Sequence, residues 1–268
     1  MDTKLSIIIF SKNRACQLDA LLRSIQLNIE IPHDVHIIYN YTNQEYYEGY
    51  GCTCIAHNNK NIRWHIETEF SKDVKSLVAL IDTPYTAFMV DDMIVKGTVE
   101  QDKIFAIFEN NKDVLGLPLR LGRDIDADAK KKGVDIPLNS QNLWCWQGCN
   151  IKGWNYPMSV DGTIFRTSDL VRYIKSLVFK KPNSFESAMA QNPLPQSLLV
   201  CYDKAKTVNF AINRVQNEVG KNHCGDITEK FLNDSWLAGK QICLEPLINL
   251  EHNQRHVILS ELEFEDKI

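Results

Sequence analysis

Nowhere in its 268 residues does the chain approach the roughly 18 consecutive apolar residues that would span a bilayer as a helix. A membrane-integral helical protein is therefore not expected, although attachment to a membrane surface stays open. The apolar stretch in MDTKLSIIIFSKNR is too short for the core of a secretion signal and runs straight into a basic turn, so it reads as a strand. Zinc-knuckle spacing is also missing. Of the eight cysteines, the close pairs are Cys52/Cys54 in GCTC and Cys145/Cys149 in WCWQGC, and neither is CxxC. Cys16, Cys201 and Cys243 sit among apolar residues, as reduced buried thiols of a cytoplasmic protein do. There is no GxGxxG, which argues against a dinucleotide-binding dehydrogenase. There is no excess of positive charge either: the net charge is −4 and the pI about 6.0, so no nucleic-acid partner is expected and any polyanion must be met locally. Internal repeats and low-complexity linkers are lacking, and with 44% hydrophobic and 24% charged residues the chain can bury a large core. A single domain over 1–268 is expected, with two functional halves, 1–95 and 96–268.

What is present is an alternation of strand and helix signals. LSIIIF (5–10) is a continuous apolar, β-branched run, the pattern of a strand buried on both faces. The next residues place Leu18, Leu21, Leu22 and Ile25 at i, i+3, i+4 and i+7, one face of a helix. DVHIIYNYT (34–42) and NIRWHIET (61–68) supply two further strands, Val74, Leu77, Val78 and Ile81 repeat the helical spacing, and TAFMV (86–90) is a fourth strand ending at two aspartates. Strands alternating with helices predict a mostly parallel sheet covered on both faces. A helix is expected from Thr98, where TVEQ has the form of a capping box, and a strand over 113–122. Residues 123–141 lack periodicity and read as a mobile loop; a helix opened by Thr167 and a short one in KPNSFESAMAQ follow, the latter with Glu186 in or just after its first turn.

FMVDDMIV (88–95) sets Asp91 and Asp92 between apolar neighbours, where two carboxylates need a compensating cation. In open α/β sheets ligands bind beyond the carboxyl ends of the strands, where strand order reverses. FSKNR ends the first strand and DD ends the fourth, so both turns are expected to open on one crevice. The first offers Ser11, Lys12, Asn13 and Arg14 at a helix N-terminus, suited to an anion. The second is compatible with an anion only across a divalent cation, so a diphosphate bridged by Mg²⁺ or Mn²⁺ satisfies both. The bland readings are a salt bridge for the aspartates and a solvated helix start for Lys12 and Arg14.

LSIIIFSKNRACQLDALLRSI followed about eighty residues later by TAFMVDDMIV resembles the nucleotide-binding half of a GT-A fold glycosyltransferase, a nucleotide-diphospho-sugar transferase with a Rossmann-like, mixed, mostly parallel central sheet flanked by helices on both faces. The acidic pair departs from the strict DxD form of that family, having Asp91-Asp92-Met93. The resemblance implies a UDP- or GDP-type sugar donor, nucleotide contacts from Phe10, Ser11, Lys12, Asn13, Arg14, Lys72, Val90 and Asp91, and Mn²⁺ or Mg²⁺ held by Asp91 and Asp92. It also implies an acceptor hydroxyl on a glycan, a lipid-linked or a small molecule, work in polysaccharide or glycoconjugate synthesis, and a cytoplasmic place, at the inner membrane face in some settings. Glu186 in NSFESAMA corresponds to the acceptor base of inverting members, with a plain helix-dipole role as the alternative; Asp161 in SVDGTIF is the second candidate, for base or acceptor contact, against a turn role before Gly162. Arg120 and Arg123 suit an anionic acceptor group or a phosphate, and Trp144, Trp146, Trp154 and Tyr156 a sugar platform, Trp154 foremost. His223, His252 and His256 are possible further metal ligands. A non-catalytic nucleotide- or glycan-binding module is the alternative from another class. A sugar-phosphate nucleotidyltransferase is disfavoured by the glycine-free turn FSKNRA.

Overall fold

The computed structural model describes residues 3–213 and 224–267. The first half runs β1 (Leu5–Lys12), α1 (Ala15–Asn28), β2 (His33–Asn40), α2 (Gln44–Ala56), β3 (Ile62–Ile66), α3 (Phe70–Leu80), β4 (Tyr85–Val90) and β5 (Met93–Val95). It continues through α4 (Lys103–Asn110), β6 (Val114–Pro118), α5 (Ala127–Lys132), β7 (Leu143–Cys145), β8 (Thr163–Arg166), α6 (Thr167–Ser176), α7 (Pro182–Gln191), β9 (Leu198–Val200) and β10 (Thr207–Ala211). The last part holds α8 (Glu229–Leu237), β11 (Lys240–Ile242), α9 (Glu245–Ile248), β12 (His256–Ile258) and β13 (Phe264–Asp266). Among the described residues no helix is long and apolar enough to cross a membrane.

Eight strands form the central sheet in the order β3-β2-β1-β4-β8-β6-β9-β7. β1, β2, β3 and β4 are mutually parallel, as are β6 and β9, while β8 and β7 run against their neighbours. The apolar run of β1 serves both faces. Leu5, Ile7 and Ile9 enter one core with Leu18, Leu21, Leu22 and Ile25 of α1, and Ile8 and Phe10 enter the other with Val74 of α3, Leu170 of α6 and Phe185 of α7. Strand order reverses between β1 and β4, so the crevice required by the chain path lies where FSKNR and DD end. The antiparallel β8 adds a second device: its starting end lies at the carboxyl edge of β4 and β6, where the Gly162 N–H donates to Phe88 O (2.8 Å) and Leu119 N–H donates to Gly162 O (3.0 Å). Gly162 has φ 73°, and a Cβ there would meet Met93 Cε at 2.9 Å, so glycine suits both the turn and its close packing.

Two local expectations need correction. The helix after the aspartates begins at Lys103, not Thr98, because buried Val99 stays extended to bridge Ile29 while Asp102 accepts from the Ile104 and Phe105 N–H groups (2.9 and 3.1 Å). Asp102→Ala is expected to lower stability by about 1 kcal/mol, the usual loss of an N-cap, and Thr98→Ala to leave it nearly unchanged, as urea denaturation of both variants would show. Residues 123–141 are not structureless either. They contain α5, closed by Gly133 at φ 66°, with Ile125 and Ala129 in the core.

Candidate functional site

At the end of β1 the chain turns at Asn13, whose φ of 58° is unusual for a side chain other than glycine. Its amide clips the end of β2: Nδ2 donates to Thr42 Oγ1 (3.0 Å) and Oδ1 accepts from Thr42 N–H (2.9 Å). Asn13→Ala should cost about 1–3 kcal/mol through the left-handed backbone and the lost bonds, measured as a lower denaturant midpoint. Ser11 is buried and shares a 2.7 Å hydrogen bond with Tyr50 Oη, which also accepts from the Arg14 N–H (3.3 Å). Phe10 packs among Phe70, Phe88 and Phe185 at ring distances of 5.0–6.1 Å. The side chains of Phe10, Ser11 and Asn13 therefore build the turn, while Lys12 and Lys72, in the first turn of α3, are exposed and Val90 is half-buried.

Asp91 and Asp92 have separate roles. Asp91 is buried and both its oxygens are engaged: Oδ1 by Arg14 Nη1 (2.9 Å) and Oδ2 by the Lys12 N–H (3.1 Å). Arg14 is itself fixed by Asn213, through Nε to Oδ1 and Nη2 to the backbone oxygen, both 2.8 Å. The salt-bridge reading thus holds for Asp91, and Arg14 is its cation. Asp92 lies farther from Arg14 (3.8 Å), accepts from Asn209 Nδ2 (3.2 Å), and keeps a side chain 24% exposed. Burial pushes its carboxyl up to about 7; Arg14 opposes this, and Asp91 and Asp161 add to it.

The second acidic pair is also brought together. Asp161, just before Gly162, is ion-paired with Arg120, which ends up buried beyond the end of β6. Glu186 sits at the fifth position of α7, past the first turn, so the helix-start explanation for it fails. Its Oε1 accepts from Ser159 Oγ (3.0 Å) and the Val160 N–H (3.2 Å), and the Asp161 N–H donates to Ser159 Oγ (3.1 Å), so one hydroxyl ties the Glu186 carboxylate to the Asp161 backbone. Burial, reinforced by the Asp161 charge, raises the Glu186 pKa. Tyr156 lies within the field of Glu186, Arg120 and Asp161.

The proposed aromatic platform at Trp154 is not available. The residue is 1% exposed, its indole N–H donates to Ile125 O (3.3 Å), and its ring meets Trp144 edge-on at 5.0 Å. Trp146 is partly buried with its N–H donating to Gln196 O (2.8 Å), which leaves Tyr156 as the aromatic beside the acids. Arg123 is half exposed and donates to Asn139 O (2.6 Å). His252 precedes β12 and binds Gln254 O through Nδ1, and His223 lies outside the described residues. His256 is better placed: on β12 it is opposite Asn209 of β10, which holds Asp92, and it lies in the field of Asp161, Arg120 and Arg255. Sequence reasoning missed Asn209, Asn213 and Arg255, whose guanidinium packs on Gly153 (φ 84°). Asn209 lies on the five-residue β10, and Asn213 and Arg255 lie just after β10 and just before β12, where the elements are too short to show a period.

Among the described residues no group of three or more histidine, cysteine or carboxylate side chains is set to cage a metal. That fits Mg²⁺ or Mn²⁺, which are commonly held by one or two carboxylates with substrate phosphates and water completing the shell. Asp92 offers such a carboxylate, and the neighbouring Asn209 Oδ1 is buried with no partner among the described residues.

The sheet order with its crevice is that of the GT-A fold, and this is the fold of the chain. TarS of S. aureus (residues 1–349) in complex with UDP superposes with a TM-score of 0.52 at 17% identity over 76% of this chain and 59% of that one. Its complex with UDP-GlcNAc superposes with a TM-score of 0.52 over 82% and 61%. In sequence the chain is 24% identical over 210 residues to the bifunctional glycosyltransferase pgtA of Dictyostelium discoideum, covering 67% of this chain. It spans 27% of the length of that relative. No family model matches.

Proposed function

We propose that the protein transfers a sugar from a nucleoside diphosphate, of the UDP or GDP type, to an acceptor hydroxyl. The observation that carries this reading is the convergence, on one crevice, of an incompletely neutralised carboxylate, Asp92, at the switch point with the acidic pair Asp161 and Glu186 at the antiparallel strand. The sequence relation to a glycosyltransferase and the likeness to a UDP-sugar complex support it. Asp92 and the diphosphate would together hold Mg²⁺ or Mn²⁺, which would neutralise charge growing on the departing diphosphate. Among the described residues His256 is the histidine best placed to join them. Arg14 keeps Asp91 and the first turn in place, and Lys12 and Lys72 offer exposed positive charge at the nucleotide side. On the acceptor side Glu186 takes the hydroxyl proton. Burial makes it a stronger base than an ordinary carboxylate, whereas Asp161 is committed to Arg120 and acts in holding the acceptor and tuning Glu186.

The test is a thermal-shift panel of nucleoside diphosphates with and without Mn²⁺, since a ligand bound only by the folded state raises the melting temperature. One nucleotide is expected to stabilise strongly only with the metal; stabilisation by none, or by NAD instead, would sink the proposal. Metal-dependent stabilisation without turnover of any sugar donor would favour a nucleotide-binding module instead.

A further inference from the structure

We infer that the rim formed by the first turns of α3, the end of α6 and the segment following it docks on an anionic phospholipid surface. Residues 172–181, RYIKSLVFKK, carry Arg172, Lys175, Lys180 and Lys181 with no acid, in a chain whose net charge is −4. α3 adds Lys75 to the same rim: its Nζ donates to Leu177 O (2.7 Å) and lies 5.3 Å from the centre of the Phe179 ring. Phe179 is buried against Phe70 and Phe185, so it anchors the segment to the domain. The residue just before it, Val178, is 89% exposed.

Three of these charges are available. Among the described residues, Arg172, Lys175 and Lys180 have no side-chain hydrogen bond or ion pair, and the nearby Asp73 is spent on Thr68 and the Glu69 N–H. An apolar residue at the tip of a basic segment, with an aromatic neighbour holding it rigid, suits the headgroup boundary, where four to eight cations add their attraction to lipid charge. The rim also has a direction. Phe185, against which Phe179 packs, precedes Glu186, so a docked rim would hold the acceptor side of the crevice next to the headgroups. Docking itself does not depend on the sugar-transfer reading, because it is measured without donor.

The test is sedimentation of the whole protein with vesicles of phosphatidylglycerol and phosphatidylcholine in about equal parts, against phosphatidylcholine alone. Binding is expected to the anionic vesicles only and to be lost at about 0.5 M salt. Removing one cation near such a surface weakens binding by about fivefold, so Lys175→Gln with Lys180→Gln should weaken it by about 25-fold at unchanged melting temperature. Val178→Asp should weaken it too. Lys230→Gln, on α8 at the opposite face, should leave it unchanged. No binding to anionic vesicles, or equal losses from the rim and α8 variants, would overturn the inference. Retention on immobilised polyphosphate without vesicle binding would overturn it in favour of a soluble polyanion.

Discussion

Asp92→Asn is expected to make the ligand-free protein more stable at pH 8, by about 2–8 °C in melting temperature, while abolishing its metal-dependent stabilisation by a nucleoside diphosphate. The carboxyl is raised from 3.8 to about 7 in the folded protein. The neutral form is therefore the one the fold prefers. The associated stability is fully present below about pH 4, where the unfolded chain is also protonated, and is lost as pH rises through about 7. Fully realised, such a displacement corresponds to about 4 kcal/mol. With 24% of the side chain open to solvent, a discounted 1–2 kcal/mol is the better expectation, and for a chain of this size each kcal/mol moves the midpoint about 2–4 °C. Asparagine keeps the shape and the oxygen that accepts from Asn209, and removes the charge. Scanning fluorimetry at pH 4 and pH 8 checks the sign: the advantage of the variant should vanish at pH 4. An equal difference at both values would show that ionisation of Asp92 is not its source. Opposite signs for stability and ligand binding are what a functional carboxylate held at an energetic disadvantage should give.

The same residue shows what could be read in the chain and what could not. The mostly parallel sheet and the meeting of the FSKNR and DD turns on one crevice followed from β1 and β4, because a fully buried parallel strand is written as an unbroken apolar run and its helix as a 3.6-residue stripe. The separation of the two aspartates was not legible. It depends on Arg14 swinging to Asp91 and on Asn213 and Asn209 arriving from more than 115 residues away. Thr98 misled because a local capping pattern cannot reveal that Val99 is needed in a bridge to Ile29. Trp154 misled for a related reason: a tryptophan beside glycine looks like a loop residue until Ile125 and Trp144 are seen to enclose it. Glu186 and Asp161 were legible as candidates. Their link through Ser159 depends on a long turn folding back on α7.

That link separates the two acids experimentally. Glu186→Gln is expected to lower kcat by about 10²–10⁴-fold, the usual contribution of a positioned general base, with the donor KM and the melting temperature little changed. The amide oxygen can still accept from Ser159 Oγ and the Val160 N–H, so the local fold is retained while the proton acceptor is removed. The raised pKa of Glu186 adds a second readout. Activity of the unaltered protein should fall as pH drops through that raised value, because the base becomes protonated, and this limb of the profile should be missing from the residual activity of the variant. Asp161→Asn should behave differently. It leaves the Arg120 guanidinium buried without its carboxylate, which costs about 3–5 kcal/mol when one partner of a buried pair is removed. It also withdraws the negative charge that helps raise Glu186, so the acid limb should move to lower pH in whatever folded protein remains. Steady-state kinetics across pH, with denaturant midpoints for both variants, decide between the roles. If Asp161→Asn is as stable as the parent and loses the acid limb while Glu186→Gln keeps it, the proton goes to Asp161 and Glu186 is the positioning residue.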